Sequence, residues 1–435
     1  MACSGERGRA INRCELRQCL RGASIHRPRQ VERTAPLDLR RPLRYGNRMM
    51  VKAPTFYEFF AGAGMARAGL GSKWRCIFAN EFDVKKSLVY QRNWKGANTL
   101  KIADVRSLTP QDVPGEADLV WASFPCQDLS LAGAGAGLKG DRSGTFWPFW
   151  QLMEGLMKED RAPKVIVLEN VCGTLTSHEG KDFAAICSSF VNAGYFVGAV
   201  VVDAVQFVPQ SRPRLFIIGV RDEVALTVPN ITSSEPSPLW HTKGLLNALQ
   251  KLSTKARSKW LWWTPPAPAK RKTTIADLIE ENPEGVQWSP PAETEKLLAM
   301  MSDKNLEKVN DAKKTGKLMV GAIYKRTRRD DVGRKVQRAE VRFDDVAGCL
   351  RTPAGGSSRQ VILIVHGENV RSRLISPRET ARLMGLPDSY QLPKNYNEAY
   401  HLTGDGVAVP VVRHLAKHIF EPLLAAQAAA SEVAA

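Results

Sequence analysis

The sequence predicts an α/β protein with a doubly wound, mostly parallel sheet and a second, smaller domain. From Thr55 to Val220, apolar runs suited to buried strands alternate with stretches suited to helices. Glycine, acidic or cysteine residues stand where several of these runs end, and the carboxyl ends of parallel strands share one sheet edge. After Val220 this rhythm is lost, and Pro, Trp, Lys and Arg become frequent. A ligand site at one sheet edge and a separate module after it are therefore expected.

Six apolar runs predict the strands of the main sheet, and two stretches between them predict helices. The strands are expected at Phe56–Phe60, Arg75–Asn80, Asp118–Ser123, Lys164–Glu169, Phe196–Val202 and Leu215–Val220, and the helices at Met65–Leu70 and Phe183–Ala193. Regular patterning returns with a strand at Gln360–Val365 and a helix at Pro377–Met384, which Ser376 would cap.

These patterns divide the chain into five parts. Residues 1–49 are expected to form a disordered Arg-rich extension, and residues 50–221 the main α/β domain. Residues 222–370 are expected to form the second domain, residues 371–424 to return to the first, and residues 425–435 to form a flexible tail.

The composition favours a protein that binds a polyanion. The chain of 435 residues has a formal net charge of +18, which is typical of nucleic-acid binding. No run approaches the roughly 18 apolar residues that a membrane helix needs. The eight cysteines include no C-x-x-C pair, so neither a zinc site nor a disulfide framework is indicated. A reducing cytoplasm suits such free thiols.

The first 48 residues differ from the rest in charge. They contain twelve Arg, no Lys and four acidic residues, and so contribute +8 of the total. Three interpretations stay open: an upstream extension with translation starting at Met49 or Met50, a nucleic-acid-binding arm, and a targeting segment.

A glycine turn and three residues after it suggest a nucleotide site. The turn runs from Phe60 through Ala61, Gly62 and Ala63 to Gly64, after the first strand, and lets the backbone approach a ligand closely. Glu81, at the end of the second strand, could accept hydrogen bonds from ribose hydroxyls. Phe82 could cover an adenine ring, and Asp104 could meet its amino edge. The turn alone would equally fit a dinucleotide.

Four motifs follow one another in an order with chemical meaning. They are Phe-Ala-Gly-Ala-Gly at 60–64, Ser-Phe-Pro-Cys-Gln at 123–127, Glu-Asn-Val at 169–171 and Gln-Ser-Arg-Pro-Arg at 210–214. At these residues the chain resembles the DNA (cytosine-5) methyltransferase family of bacterial or phage type, and the match recurs from about Tyr57 to Ile419. The resemblance implies a fold of the AdoMet-dependent methyltransferase type, with S-adenosylmethionine as cofactor.

The resemblance makes Cys126 the catalytic nucleophile. C5 of cytosine is a poor nucleophile, and a thiolate that adds to C6 turns the ring into an enamine whose C5 can take a methyl group. Glu169 would donate or share a proton at N3. Arg214 would hold O2 and orient Glu169, while Arg212 would help to position the base or its phosphate. The glycine-rich loop from Asp128 to Thr145 would close over a flipped base.

The resemblance also assigns the binding residues. The expected cofactor contacts are Phe60, Ala61, Gly62, Gly64, Glu81, Phe82, Asp104, Pro125, Asp405 and Val407. The family usually has Asn and Ser where Asp405 and Gly406 stand, so this chain departs from its pattern there. Residues 222–370 would be the target-recognition domain, and the expected DNA contacts are Gln127, Ser130, Gln210, Arg328, Arg329, Arg351, Thr352 and Gly355. Gln210 is also expected to brace its loop.

The resemblance implies duplex DNA as substrate, a monomer, and a cognate restriction endonuclease as functional partner. Three other functions are weighed against this one. A tRNA-methylating relative would lack a large recognition domain, which residues 222–358 oppose. A nicotinamide or flavin oxidoreductase would need G-x-G-x-x-G, but Arg67 stands at the last glycine position. A catalytically dead DNA-binding relative is disfavoured because Cys126, Glu169 and Arg214 are all present.

Overall fold

The computed structural model describes residues 53–95, 98–125, 137–140, 143–225, 231–330, 332–351 and 359–434. The chain divides into one unit of residues 1–51 and a second of residues 52–435. The first unit, with the expected Arg-rich extension, lies outside the described residues.

Nine strands of the described chain form one large sheet. Their bounds are β1 Thr55–Phe59, β2 Arg75–Glu81, β3 Leu100–Ile102, β4 Leu119–Ala122, β5 Val165–Val171, β6 Tyr195–Asp203, β7 Pro213–Arg221, β8 Thr232–Ser233 and β9 Trp260–Trp263. Their order across the sheet is β3-β2-β1-β4-β5-β7-β6-β9-β8. The strands that the sequence predicts before Val220 are all confirmed, with ends that differ by up to two residues.

The sheet is parallel except around β7 and β8. Strands β3, β2, β1, β4 and β5 are parallel, whereas β7 lies antiparallel to both β5 and β6. The chain order reverses between β1 and β4, and ligands of doubly wound sheets bind beyond the strand ends at such a switch point. The exits of β1 and β4 lead to the glycine turn and to Cys126.

Helices cover both faces of the sheet. They are α1 Met65–Leu70, α2 Val84–Asn93, α3 Phe146–Lys158, α4 Lys181–Asn192, α5 Asp222–Ala225, α6 Lys243–Leu249 and α7 Thr254–Ser258. Neighbouring residues of β1 point to opposite faces, so Phe56 joins one buried apolar cluster and Tyr57 the other. A strand buried on both faces reads as a continuous apolar run, which is why β1 was visible in the sequence.

The large sheet continues beyond residue 222, where the sequence places a domain boundary. The aromatic strand β9 pairs in parallel with β6, and β8 pairs with β9. Trp263 is buried in the main core, and its indole N–H donates to the carbonyl of Ile218 at 3.4 Å. Strands β8 and β9 therefore belong to the main sheet, because the Trp-rich β9 extends it beyond β6.

A second sheet of four antiparallel strands follows. Its strands are β10 Leu318–Arg329, β11 Lys335–Arg342, β12 Val361–His366 and β13 Asn369–Leu374, in the order β11-β10-β12-β13. Helices α8 Pro291–Ala299 and α9 Asp303–Lys314 pack on it around a small apolar cluster that contains Leu297, Val309 and Val341. This sheet is the smaller second domain that the sequence predicts.

The C-terminal helices return to the main sheet. They are α10 Pro377–Leu383, α11 Tyr396–Asp405, α12 Val409–Leu415 and α13 Glu421–Ala434, with a π-helical turn at Ala416–Phe420. The predicted cap of α10 is confirmed, since the amide of Glu379 donates to the Ser376 hydroxyl at 3.2 Å. Glu379 also accepts two hydrogen bonds from the buried guanidinium of Arg373, at 2.8 and 2.6 Å. This paired charge joins β13 to α10.

Glu58 in β1 is a carboxyl group buried beneath the glycine turn. It accepts a hydrogen bond from the Arg67 amide at 3.1 Å, and the Tyr90 hydroxyl donates to it at 3.4 Å. Burial raises the pKa of Glu58 to about 7 from its ordinary value of 4.5, although the Arg67 amide works against this shift. The folded protein thus holds a proton there at pH values where the unfolded chain has lost it.

We expect Glu58→Gln to remove a pH dependence of stability. Since the folded pKa is raised, the contribution of Glu58 is full below pH 4.5 and is lost as pH rises through about 7. Between pH 5 and 8 the wild type should lose about 3 kcal/mol of unfolding free energy relative to the variant. Urea unfolding at each pH measures this. The exposed Glu116→Gln serves as control, and parallel curves for Glu58→Gln and wild type would contradict the expectation.

Candidate active site

The glycine turn is held in place by the neighbouring strand. Phe60, Gly62 and Gly64 have φ angles of 53°, 56° and 81°, in the left-handed region. The amide of Ala61 donates to the carbonyl of Asn80 at 2.9 Å, and the amide of Gly62 donates to the Glu81 carboxylate at 2.7 Å. The exit of β1 is thereby fastened to the end of β2.

The C-terminal part of the chain holds the same turn from its other side. The carbonyl of Ala63 accepts hydrogen bonds from the Tyr390 hydroxyl at 2.6 Å and from the Trp94 indole at 3.2 Å. Helix α1 approaches α12 so closely that a β-carbon on Gly69 would lie 2.4 Å from the β-carbon of Val412. The shape of the turn therefore depends on residues more than 300 positions away.

Three predicted cofactor residues lie at adjoining strand ends. Glu81 ends β2, and its second oxygen accepts from the Asp83 amide at 2.8 Å, so the carboxylate is oriented from two sides. The ring of Phe82 is 71% exposed. Asp104 follows β3, accepts from the Arg106 amide at 2.9 Å and pairs with its guanidinium. Acceptor oxygens beside an uncovered aromatic ring suit a nucleoside.

Among the described residues, none fills the space next to Gly62. A β-carbon placed on Gly62 would meet no heavy atom within 4 Å, whereas one placed on Gly64 would lie 2.1 Å from the Trp94 indole nitrogen. The two glycines thus differ, because Gly62 faces free space and Gly64 faces packed side chains. The residues present fit S-adenosylmethionine at this position.

We expect Gly64→Ala to destabilise the protein by about 2–4 kcal/mol, from left-handed strain plus overpacking against Trp94. Gly62→Ala is the matched variant, with similar strain but no collision. It should cost only about 1–2 kcal/mol yet weaken S-adenosylmethionine binding, since its methyl group would enter the open space. Thermal unfolding and calorimetric titration measure the two effects. Equal destabilisation by both variants would contradict this account.

An acidic and a basic side chain meet where β5 ends and β7 begins. The Arg214 guanidinium lies 3.3 Å from the Glu169 carboxylate, measured from Nε to Oε1, and both side chains are largely buried. The antiparallel pairing places Arg214 opposite Val171, two residues after Glu169 on β5. The predicted pair is thus brought together by a strand whose direction the sequence did not reveal.

Asn170 ties this pair to the exit of β4. Its side-chain amide donates to the carbonyl of Phe124 at 3.1 Å, and its oxygen accepts from the Val171 amide at 2.8 Å. Pro125, the next residue, is half-buried. Cys126, Gln127 and Ser130 lie outside the described residues. The backbone that leads to Cys126 is therefore anchored beside Glu169.

Arg212 is buried, with 2% of its surface exposed. Its guanidinium donates to the carbonyls of Leu350, Gly404 and Gly406 at 3.0, 2.8 and 2.6 Å. Burial lowers the pKa of Arg212, and the nearby charge of Arg214 lowers it further. In this structure Arg212 joins three chain segments, so its predicted contact with the base or its phosphate stays a prediction.

Gln210 braces its loop, as predicted. Its amide donates to the carbonyl of Leu383 at 2.9 Å and accepts from the amide of Leu350 at 3.2 Å. The side chain has no exposed surface. A contact between Gln210 and DNA would first require these bonds to break.

Cys349 is a site residue that the sequence did not single out. Its sulfur lies 3.5 Å from Arg212 Nη1 and 4.0 Å from Arg214 Nη2. Burial alone would raise the pKa of this thiol, but the two guanidinium charges outweigh burial and lower it. In the sequence Cys349 fits a structural cysteine, and its partners, more than 130 positions away, left no local signal. By contrast, burial raises the pKa values of Cys172 and Cys187.

The departure at Asp405 and Gly406 has a packing reason. Asp405 ends α11 and pairs with Lys86, with 2.8 Å between Nζ and Oδ2, beside the predicted cofactor residues of β2. A β-carbon on Gly406 would lie 2.2 Å from the sulfur of Met65, so a serine would not fit without movement of that side chain. Val407 is buried.

Three of the predicted DNA contacts, Arg328, Arg329 and Arg351, lie in the second sheet or between its strands along the chain. Arg328 and Arg329 are exposed at the end of β10, and Arg351 is exposed as well. Thr352 and Gly355 lie outside the described residues. These arginines present positive charge to solvent, as phosphate contacts require.

Comparison with known proteins places the chain among DNA-modifying enzymes. Residues 54–421 match the sequence model of the C-5 cytosine-specific DNA methylases. Type II methyltransferase M.HpaII of Haemophilus parainfluenzae is 26% identical over 389 residues, which cover 85% of this chain and 90% of that protein. M.HhaI of Haemophilus parahaemolyticus is 23% identical over 366 residues, which cover 84% and 93%.

Solved structures resemble this one in fold. Dnmt2 methyltransferase of S. pombe aligns with a TM-score of 0.52 at 17% identity, over 85% of this chain and 99% of that one. A putative DNA modification methyltransferase encoded within an E. coli prophage aligns with a TM-score of 0.51 at 16% identity, with the same coverage of 85% and 99%. Among the described helices, none combines the length and the apolar content needed to cross a bilayer.

Proposed function

This chain belongs to the C-5 cytosine-specific DNA methylase family, and from that membership we propose that it methylates C5 of a cytosine flipped out of duplex DNA through a covalent bond between Cys126 and C6. The protein is a DNA (cytosine-5-)-methyltransferase, and its family implies S-adenosylmethionine as methyl donor and duplex DNA as substrate.

The Cys126 thiolate attacks C6, and a sulfur–carbon bond forms while electron density moves toward N3. Glu169 holds a proton at N3 and so prevents charge from accumulating on the ring. Arg214 binds O2 and, across 3.3 Å, keeps the Glu169 carboxyl oriented. When bound, S-adenosylmethionine supplies an electrophilic methyl group. After C5 has taken that methyl group, the C5 proton leaves to a base and the sulfur–carbon bond breaks, which frees Cys126.

The cofactor would lie along the ends of β1, β2 and β3. Glu81 would accept hydrogen bonds from the ribose hydroxyls, and the exposed ring of Phe82 would cover the adenine. Asp104 would face the amino edge, and the glycine turn would let the methionine part approach the backbone. Asp405 and Val407 remain proposed contacts at the other end.

The Glu169–Arg214 pair beside the anchored exit of β4 carries this proposal. Its test is transfer of tritium from labelled S-adenosylmethionine to duplex DNA, followed by bisulfite sequencing of the product. We expect incorporation at one short motif. Incorporation into tRNA alone would overturn the DNA substrate. A restriction endonuclease of matching specificity remains a proposed functional partner, testable by restriction of unmethylated DNA in the host.

A further inference from the structure

The outer half of the β10–β11 hairpin stands clear of the protein core. Residues 320–323 of β10 are buried, but residues 325–329 are all exposed, and so are residues 335, 337 and 338 on β11. Two paired strands with both faces in solvent bury little apolar surface, and an isolated two-stranded ribbon is marginally stable. We call residues 325–330 and 332–338 the basic ribbon.

Charge on the basic ribbon points to a polyanion. The sequence from 325 to 338 has seven basic residues, Lys325, Arg326, Arg328, Arg329, Arg334, Lys335 and Arg338, against two acidic ones, Asp330 and Asp331. The carboxylate of Asp330 is paired with Arg334 at 2.9 Å, and an excess of positive charge remains. The major groove of B-DNA is wide enough to admit a two-stranded ribbon, and phosphates line both of its walls.

The register of the hairpin places three arginines, Arg326, Arg328 and Arg338, and the carboxylate of Glu340 on the same face. Glu340 pairs with Tyr324 and Arg338 with Arg326, and side chains two apart share a face. One oxygen of Glu340 accepts from Nε and Nη2 of Arg328, at 2.8 and 2.5 Å. Its other oxygen lies 3.2 Å from Nε of Arg326.

Within the described part of the chain, this contact leaves the outer side of the Arg328 guanidinium open to a base. The carboxylate occupies the edge formed by Nε and Nη2, whereas the outer edge formed by Nη1 and Nη2 keeps donors for a second partner. Two parallel donors on that edge match O6 and N7 of guanine. A fixed guanidinium also loses less side-chain entropy on binding.

We propose that the basic ribbon enters the major groove of the substrate duplex, where Arg328 reads a guanine of the methylated motif and Glu340 acts as its positioning residue. The proposal rests on the proposed function and extends it from catalysis to sequence choice. Arg329 has a different part, because it lies on the opposite face and donates to the carbonyl of Gly333 at 2.9 Å. It braces the turn and offers its remaining charge to phosphate.

The experiment uses the full chain and the motif that the wild type methylates on plasmid DNA. Duplexes with each single base change in that motif are then methylated by wild type, Arg328→Ala, Glu340→Gln and Arg329→Ala. Arg328→Ala should lower discrimination at one guanine about tenfold or more, and Glu340→Gln should relax the same position by a smaller factor. Arg329→Ala should weaken binding to all duplexes alike and reduce the salt dependence by about one unit of slope.

The outcomes distinguish a failure of the proposal about the basic ribbon from a failure of the proposed function. Absence of DNA methylation by the wild type would sink the proposed function, and a motif without guanine would overturn the assignment to Arg328. Equal losses on every duplex with Arg328→Ala, or relaxation at a different position with Glu340→Gln, would also overturn it. All three side chains are at least partly exposed, and unfolding curves that match the wild type exclude misfolding.

Discussion

Cys126→Ser should abolish methyl transfer while leaving S-adenosylmethionine binding nearly intact. A serine hydroxyl is far less nucleophilic than a thiolate, so C6 is not attacked and C5 never becomes electron-rich. The expected loss is on the order of 10⁴–10⁶-fold, the scale seen when a covalent nucleophile is removed. Tritium transfer measures the loss, and calorimetric titration measures cofactor affinity.

A trapping experiment separates the nucleophile from a structural cysteine. The wild type should become covalently attached to duplexes with 5-fluorocytosine at the target, because fluorine cannot leave C5 as a proton does. Cys126→Ser should not be trapped. Cys172→Ser is the matched control, since Cys172 is half-buried near Arg214 and should keep activity. If Cys126→Ser loses cofactor binding, Cys126 is structural and the proposed mechanism fails.

Glu169→Gln should lower the rate of the chemical step by about 10²–10⁴-fold. The amide keeps the size of the carboxyl group and a hydrogen-bond acceptor near Arg214, but it cannot hold the acidic proton at N3. Single-turnover methylation gives the rate. The fluorescence of 2-aminopurine at the target position reports base flipping, which should persist in the variant.

Arg214→Gln and the double variant complete this test. If Arg214 acts by orienting Glu169 as well as by binding O2, the losses of the two single variants should not add in the double one. A rate for Glu169→Gln within threefold of wild type would remove Glu169 from the mechanism. So would a trapping rate on 5-fluorocytosine that does not fall with the methylation rate.

The sequence revealed elements that are buried on both faces. β1 and β5 are largely apolar runs, the glycine turn follows β1, and Glu169 near the end of β5 marks the site. The direction of β7 could not be read, because a strand buried on both faces gives the same pattern whether parallel or antiparallel. β10 and β11 were hidden for the opposite reason, since both faces of their outer half are exposed and charged.

Site residues that lie within a sequence motif could be predicted, whereas contacts between segments far apart in the sequence could not. Glu169 and Arg214 each lie within such a motif. The burial of Arg212 depends on carbonyls 138 and 192 positions further along the chain, and the lowered pKa of Cys349 depends on the same arginine. The sequence around these residues gives no sign of the contacts, because every residue has a backbone carbonyl that could accept such a hydrogen bond.

The hydrogen bond from the Tyr390 hydroxyl to the carbonyl of Ala63 has a consequence for folding during synthesis. The amino-terminal strand leaves the ribosome early, but the turn that follows it reaches its final shape only after Tyr390 and α12 have been made. The nascent chain therefore cannot complete the proposed S-adenosylmethionine site until synthesis is almost finished.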